Sequence, residues 1–186
     1  MAATFNWSED NGAATGSPAH GTTRSQVSSP PLDCSWKSVD DAHTGSGGTL
    51  YSAAPVVAGT NSFTKYQYGQ FSGSYNNITN VKWSARTAPA DALATGIHLK
   101  GVVTNTYATP SQTANAALTT DYTAAEIAIT SGATVLLGAD PSNASSVSLS
   151  SGGGFTQYLA TQLQVDVSAS PGDMASITQT LSYDES

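Results

Sequence analysis

The sequence predicts an all-β fold, an antiparallel β-sandwich of jelly-roll-like type with a long, irregular N-terminal arm. The composition favours strands, because the polar residues are mostly Thr, Ser, Asn and Gln and only 10% of residues are charged. Thr has a branched Cβ that favours extended backbone. Short runs of alternating polar and apolar residues follow one another between turn residues, and a sheet with one apolar face must bury it against a second layer.

Residues 1–59 are predicted to form the arm and residues 60–186 the β-sandwich domain. The first segment is interrupted by Gly and Pro turn signals and shows a period of neither 2 nor 3.6. It nevertheless contains large apolar side chains that a disordered linker would lack. We interpret these as anchors that lie on the body or on a neighbouring subunit, and a flexible linker is the alternative. The candidate anchors are Phe5, Trp7, Leu32, Trp36 and Tyr51.

The first strands of the body are predicted from aromatic and alternating segments. Residues 63–71 and 78–84 flank a turn-like stretch and are predicted to pair as a hairpin. Residues 96–103 alternate apolar and polar side chains, which predicts a half-buried strand.

The C-terminal part predicts a long antiparallel hairpin that is central to the sheet. Its two arms are residues 159–167 and 177–183, joined by the Ser-Pro-Gly-Asp turn. A third, shorter hairpin is expected from residues 127–129 and 134–137. Residues 109–124 are interpreted as a long connection.

Charge and cysteine content exclude several classes of function. The net charge is −7 with six Lys and Arg residues, so a phosphate-binding surface is not expected and nucleic acid is not a predicted partner. The single Cys34 forms no intrachain disulfide and has no zinc-site spacing. The sequence begins without the pattern of a secretory signal and contains no run of ~20 apolar residues, so we expect folding in the cytoplasm and no membrane partner.

No catalytic residue, cofactor site or metal ligand is predicted. The three histidines, His20, His43 and His98, have no second ligand at metal-site spacing and are interpreted as exposed. Asp40 and Asp41 form the densest acidic pair, and a calcium site is the alternative there, although the ligand pattern of an EF-hand is missing. The Gly-x-Ser-x-Gly turn of a hydrolase is also absent from the sequence.

Three passages of the sequence are informative together: YNNITNVKWS at 75–84, LATGIHLKG at 93–101 with TYATPSQ at 106–112, and YLATQLQV at 158–165 with SPGD at 170–173 and QTLSYDE at 179–185. They resemble small virion structural proteins of tailed bacteriophages, over roughly residues 63–186. The resemblance implies a β-sandwich protein without enzymatic activity, carried in many copies on the virion and assembled in the host cytoplasm. It also implies that the partners are the major capsid protein or other virion proteins, and further copies of the chain.

Within that class, a capsid decoration or cement protein is the first hypothesis, because a compact body with an anchored arm suits binding to a particle surface. A neck, collar or tail-associated subunit is the alternative, and the number of copies per particle separates the two. A carbohydrate-binding adhesin is a hypothesis from another class. Its stacking faces would come from Trp36, Tyr66, Tyr68 and Trp83.

Overall fold

The structure is a computed structural model that describes residues 3–27, 36–42, 51–85, 93–121, 133–134, 136–150, 153–172 and 179–186. In these ranges the chain forms twelve strands in two sheets, with two three-residue 3-10 turns and no α-helix, so none of the described helical elements is long and apolar enough to cross a bilayer. The predicted all-β antiparallel sandwich is confirmed. The strands are β1 Ala3–Thr15, β2 His20–Val27, β3 Lys65–Gly73, β4 Ile78–Ala85, β5 Ile97–Thr104, β6 Thr120–Asp121, β7 Ala133–Thr134, β8 Leu137–Gly138, β9 Ser148–Leu149, β10 Gly154–Thr156, β11 Tyr158–Val165 and β12 Gln179–Glu185.

The larger sheet has eight strands, and the smaller sheet has four. The larger has the order β2-β1-β3-β11-β5-β6, with β10 beside β3 and β8 beside β10. The smaller has the order β12-β4-β7, with β9 beside β4. Strand β11 lies in the middle of the larger sheet between β3 and β5, and every side chain from Tyr158 to Leu163 is buried. Burial of consecutive residues means that both faces of this strand are covered.

The main core lies between the two sheets. Alternation along β3, β5 and β11 directs Phe71, Leu99 and Leu159 towards the smaller sheet, where they meet Val81 and Trp83 of β4. All five side chains are at most 1% exposed, and full burial of each contributes about 1.5–3 kcal/mol.

A second cluster of buried side chains covers the opposite face of the larger sheet. There the connection between β5 and β6 supplies Tyr107 and Leu118, which pack on side chains from β3 and β11. The larger sheet is therefore the middle layer of the molecule. The buried members of this cluster are Tyr66, Tyr68, Tyr107, Leu118, Tyr158 and Ala160.

The predicted N-terminal arm is wrong for residues 3–27. These residues form the hairpin β1–β2, and β1 pairs with β3 from Ala3 opposite Gly73 to Asp10 opposite Tyr66. Apolar alternation stops after Trp7, because the following residues of the same face are polar and buried. A segment can therefore form strands even where its apolar alternation is short.

A glycine in β3 admits the first aromatic side chain of the hairpin into the core. A Cβ atom at Gly69 would lie 2.3 Å from Cε2 of Phe5, so only glycine leaves room for this ring. Phe5 contacts Phe71 on the same face, with ring centroids 5.1 Å apart.

Two further parts of the predicted arm run without strands along the body. The backbone N–H of Ser38 donates to Ala54 O, and that of Phe63 donates to Lys37 O, both at 3.0 Å. Residues 28–35 and 43–50 of the predicted arm lie outside the described residues.

Two of the predicted hairpins, 63–71 with 78–84 and 159–167 with 177–183, are wrong in their pairing. Strands β3 and β4 exist but belong to different sheets, and the same is true of β11 and β12. Two strands that face one core from opposite sheets show the same alternation as two that pair within a sheet, so the pattern does not distinguish them. The predicted strand at 96–103 is confirmed as β5, with Ile97 and Leu99 buried. The predicted strand at 127–129 lies outside the described residues.

Candidate functional site

Three of the predicted anchors, Phe5, Trp7 and Trp36, contact the chain's own core. The ring of Phe5 packs edge-on against Trp7 at 5.4 Å between centroids, and both rings contact the main core. Trp36 also packs against this core, and its Nε1 donates a 3.1 Å hydrogen bond to Oγ1 of Thr161. Leu32 lies outside the described residues, and Tyr51 begins a 3-10 turn.

At the end of the main core, beyond Trp7, the space between β1, β3 and residues 36–42 is filled by polar and charged side chains. The alternation of β1 and β3 that directs Phe5 and Phe71 inwards directs these side chains to the same face. We call this group the interior polar cluster. Its members are Glu9, Asn11, Lys37, Asp40, Asp41 and Lys65.

Glu9 is the centre of the interior polar cluster. Its Oε1 accepts hydrogen bonds from Nζ of Lys65 at 2.8 Å and from Nδ2 of Asn11 at 3.0 Å. The same two donors also bind residues 36–42: Lys65 Nζ donates to Asp41 O at 2.6 Å, and Asn11 Nδ2 donates to Asp40 Oδ1 at 3.1 Å. Glu9 and Lys65 are 0% exposed and Asn11 is 3% exposed.

The acidic pair that suggested calcium serves this cluster instead. Asp41 forms an ion pair with Lys37, and Asp40 Oδ2 accepts the backbone N–H of Gly12 at 2.8 Å. Lys37 Nζ also donates to Ala42 O at 3.1 Å. In the part of the chain that the structure describes, no three His, Cys, Asp or Glu side chains are arranged to hold a metal ion. Both carboxylates therefore bind groups of this chain.

Four tyrosines form a contiguous group of rings on the other face of the larger sheet, which we call the tyrosine cluster. Tyr158 is central, with its centroid 5.7 Å from Tyr66, 5.6 Å from Tyr68 and 5.7 Å from Tyr107. Tyr66 and Tyr68 meet it edge-on, the arrangement that aromatic pairs favour. Burial raises the pKa of all four phenols.

The buried carboxylate of Asp10 connects the tyrosine cluster to the N-terminal hairpin. Its Oδ2 accepts hydrogen bonds from the hydroxyl of Tyr158 at 2.6 Å and from the N–H of Gly21 at 3.3 Å. Nε of Arg24 lies 3.3 Å from the same oxygen, and its guanidinium carbon lies 6.0 Å from the ring centroid of Tyr68. Cation–π attraction and the ion pair therefore act on the same arginine.

Arg24 also bridges to the turn that follows β8. Its Nη1 donates to Oδ2 of Asp140 at 2.7 Å. Burial alone would lower the pKa of Arg24, but the hydrogen bond to Asp140 and the charges of Asp10 and Asp140 outweigh it and raise this pKa. Burial likewise acts to raise the pKa of Asp140, and the hydrogen bonds from Arg24 and from the N–H of Ser142 overcome it, so this pKa is lowered.

The two described histidines lie on β2 and β5, and the charge of His20 contributes to the lowered pKa of Asp140. A ring nitrogen of His20, in β2, lies 2.8 Å from Gly21 O. Nε2 of His98, in β5, lies 3.4 Å from Oδ2 of Asp166, which follows β11. Both histidines are partly exposed, and His43 lies outside the described residues.

Sequence reasoning missed Glu9, Asp10, Asn11 and Lys65. One signal was present: after Phe5 and Trp7 the residues at the same spacing are Glu9 and Asn11, and before Phe71 they include Lys65. Opposite charges at the inward positions of neighbouring strands are typical of a buried pair. Finding that signal required knowing that β1 lies beside β3.

The chain matches no protein-family model, no curated protein and no solved structure. The virion role drawn from the resemblance therefore stays a prediction. The stacking faces named for the adhesin hypothesis are mostly buried: Tyr66 and Tyr68 are 3% exposed and Trp83 is 1% exposed. The prediction that these three rings offer sugar-stacking surfaces is therefore wrong.

Proposed function

We propose that this protein is a non-enzymatic structural subunit of a bacteriophage particle that decorates the capsid surface. It binds the major capsid protein or a neighbouring copy through the outer edge of the larger sheet. The observation that carries the proposal is that β2, the last described strand at that edge, is open to pairing with a further strand. The resemblance of residues 63–186 to small virion proteins supports a location on the particle. The open edge of β2 supports attachment through that strand.

Strand β2 lacks the features that normally protect a sheet edge. Its sequence, HGTTRSQV, contains no Asp, Glu, Lys or Pro, and among the described residues it pairs with β1 alone. Its single charged side chain, Arg24, is directed to Asp10 and Asp140. Exposed edges in natural proteins are usually protected by charges, prolines or short length. An eight-residue edge with exposed Thr23 and Gln26 is suited to the addition of a strand from a partner.

The internal use of the buried charges supports a structural role. Glu9 and Lys65 pair with each other across β1 and β3, and Asp10 joins β1 to β2 and β11. Each group holds secondary-structure elements together, and breaking such a pair costs about 3–5 kcal/mol.

Protein stoichiometry of purified particles tests the proposal. A decoration protein is expected in copies that scale with the major capsid protein, and quantitative mass spectrometry of particles measures this ratio. A few copies per particle would favour the neck or tail alternative. Absence of the chain from purified particles would reject both.

A charged edge tests the attachment surface. The double variant Thr23→Lys/Gln26→Lys should fold normally and lose binding to particles that lack the protein, because the added lysines oppose strand addition. The matched control, Ser145→Lys/Ser150→Lys, adds the same charge at exposed residues outside the β2 edge and should bind as the original chain does. Undiminished binding of the edge variant would exclude β2 as the attachment site.

A further inference from the structure

One carboxylate oxygen in the interior polar cluster lies between an amine and a side-chain amide. Oε1 of Glu9 is 2.8 Å from Nζ of Lys65 and 3.0 Å from Nδ2 of Asn11. The lysine and the asparagine belong to neighbouring strands, β3 and β1. The last pair of their ladder is Asp10 opposite Tyr66, and one further step in this antiparallel register brings Asn11 beside Lys65. Opposed residues on one face have Cβ atoms roughly 4.5–5.5 Å apart.

The amide of Asn11 has one unsatisfied atom. Both of its hydrogen bonds are donated by Nδ2, to Glu9 and to Asp40, while its buried Oδ1 has no hydrogen-bond partner among the described residues. Buried polar atoms almost always have a partner, so an exception in a cluster of reactive groups calls for an explanation. A half turn about the Cβ–Cγ bond would bring Oδ1 towards Glu9, which can donate to it once protonated.

We propose that this site forms an intramolecular isopeptide bond between Nζ of Lys65 and Cγ of Asn11, promoted by Glu9. The new bond would join β1 to β3 covalently within the core. This modification is independent of the proposed particle role, since it follows from the three side chains alone.

The reaction balances without a cofactor or an oxidant. Glu9 takes a proton from the Lys65 ammonium along their hydrogen bond, and the neutral amine then attacks Cγ of Asn11 to form the C–N bond. Protonated Glu9 donates to the developing oxyanion on Oδ1 and then protonates Nδ2. The Cγ–Nδ2 bond breaks, and the attacking nitrogen gives its second proton to the Glu9 carboxylate and retains one hydrogen in the product amide. The released ammonia takes this proton from Glu9 and leaves as ammonium, which returns Glu9 to its ionised form. One lysine amine and one asparagine amide are thus converted into one secondary amide and one ammonia.

The surroundings favour this chemistry in the folded chain. Glu9 and Lys65 are 0% exposed and Asn11 is 3% exposed, and this burial keeps the amine and the acid from being solvated separately. The strand ladder holds the reacting groups at close range, and such positioning replaces a bimolecular encounter. The neutral amine can still donate to Asp41 O, which is 2.6 Å from Nζ, and Gln67 Nε2 lies 3.4 Å from the other oxygen of Glu9.

Intact-mass spectrometry of the purified full chain, followed by tryptic mapping, tests the bond. We expect the mass to be lower than the sequence mass by one ammonia. Trypsin should fail to cleave after Lys65, and residues 1–24 should be recovered joined to residues 38–82. An unchanged mass would overturn the proposal.

One alternative also releases ammonia. Asn11 precedes Gly12, and a succinimide at that step would give the same loss of mass while leaving Lys65 open to trypsin. Loss of ammonia with separate 1–24 and 38–65 peptides would therefore overturn the proposal as well.

Variants identify the role of each group. Glu9→Gln, Lys65→Met and Asn11→Ala should each retain the full mass, and circular dichroism reports whether each still folds. Lys100→Met and Asn6→Ala are the matched controls, since they remove a lysine of β5 and another β1 asparagine outside the interior polar cluster, and both should still lose ammonia. Loss of ammonia from folded Glu9→Gln at the wild-type rate would reject Glu9 as the promoting group. Retention of the full mass by folded Asn6→Ala or Lys100→Met would contradict the assignment of the bond to Asn11 and Lys65.

Discussion

The hydroxyl of Tyr158 donates a 2.6 Å hydrogen bond to Oδ2 of Asp10 and so joins the middle strand of the larger sheet to the N-terminal hairpin. Replacement by Phe keeps the ring but removes a donor from a buried carboxylate. Hydrogen bonds to charged groups contribute about 1.5–3 kcal/mol, and we expect Tyr158→Phe to lower the free energy of unfolding by that amount. Chemical denaturation monitored by circular dichroism measures this loss.

The control for that variant is Tyr183→Phe. Tyr183 packs its ring on Phe5 and Phe71 in the main core, outside the tyrosine cluster. Its loss of stability should be smaller than that of Tyr158→Phe. Equal losses of stability in the two variants would show that the hydrogen bond to Asp10 does not add to the free energy of unfolding.

Deletion of residues 1–27 should abolish folding of the remaining chain. The deletion removes one of the partner strands of β3 and leaves Lys65 without Glu9, and an unpaired buried charge alone costs about 3–5 kcal/mol. We expect the truncated chain to lose its cooperative thermal transition. Thr23→Ala, an exposed change within the hairpin, should leave the transition in place. A truncated chain that unfolds cooperatively would restore the interpretation of this segment as a separate arm.

The sequence was sufficient to predict the fold class and several strands, because those depend on local alternation. Strand β5 shows this best, since Ile97 and Leu99 alternate with polar residues and are buried. Partners of strands were not predictable in the same way. Strands β11 and β12 each carry the pattern of a hairpin arm but face the core from different sheets.

The candidate site was missed for a related physical reason. Glu9 and Lys65 are inward-facing residues whose burial is tolerated only because each neutralises the other. In the sequence they stand far apart, and each alone indicates a solvent-exposed position. Their relationship depends on the β1–β3 register, which is a property of the folded chain.

Gln162 is a buried hydrogen-bond centre whose loss should loosen two connections at once. Its Nε2 donates to Ser62 O at 3.0 Å and to Thr113 O at 3.0 Å, and its Oε1 accepts the N–H of Asn115 at 3.0 Å. Gln162→Met fills the same space without these bonds. Each buried group left unsatisfied costs about 1–3 kcal/mol, so we expect a loss of at least that size. Amide hydrogen exchange should also accelerate at Asn115.

The exposed Gln26→Met change is the control for Gln162→Met. Gln26 lies on β2, away from these connections, and its replacement should change stability by less than about 0.5 kcal/mol. Unaltered exchange at Asn115 in Gln162→Met would contradict the role assigned to the glutamine.

The ion pair of Asp140 and Arg24 should make part of the stability acid-sensitive. The folded-state pKa of Asp140 lies below its ordinary value of 3.8, so its contribution is present above that pH and is lost as the pH falls through the folded-state pKa. Asp140→Asn keeps the oxygen that accepts the N–H of Ser142 but removes the charge. We expect a shallower fall in Tm below pH 4 for this variant. Parallel Tm curves for variant and wild type would contradict the assignment.

The tyrosine cluster should make the fold sensitive to alkali. Burial raises the pKa of Tyr107 above its ordinary value of 10.0, with the charges of Asp40 and Asp10 acting in the same direction. The unfolded chain therefore releases this proton at lower pH than the folded chain, and stability is lost as the pH rises above 10. Each such phenol contributes a slope of about 1.4 kcal/mol per pH unit between its two pKa values. Tyr107→Phe should reduce the alkaline slope by that amount, measured by denaturation at successive pH values.

The absorbance of tyrosinate gives a second measurement of the same cluster. It should rise together with unfolding for Tyr66, Tyr68, Tyr107 and Tyr158, because these phenols are buried in the folded chain. Ionisation of these phenols in the still-folded chain would show that the cluster is open to solvent.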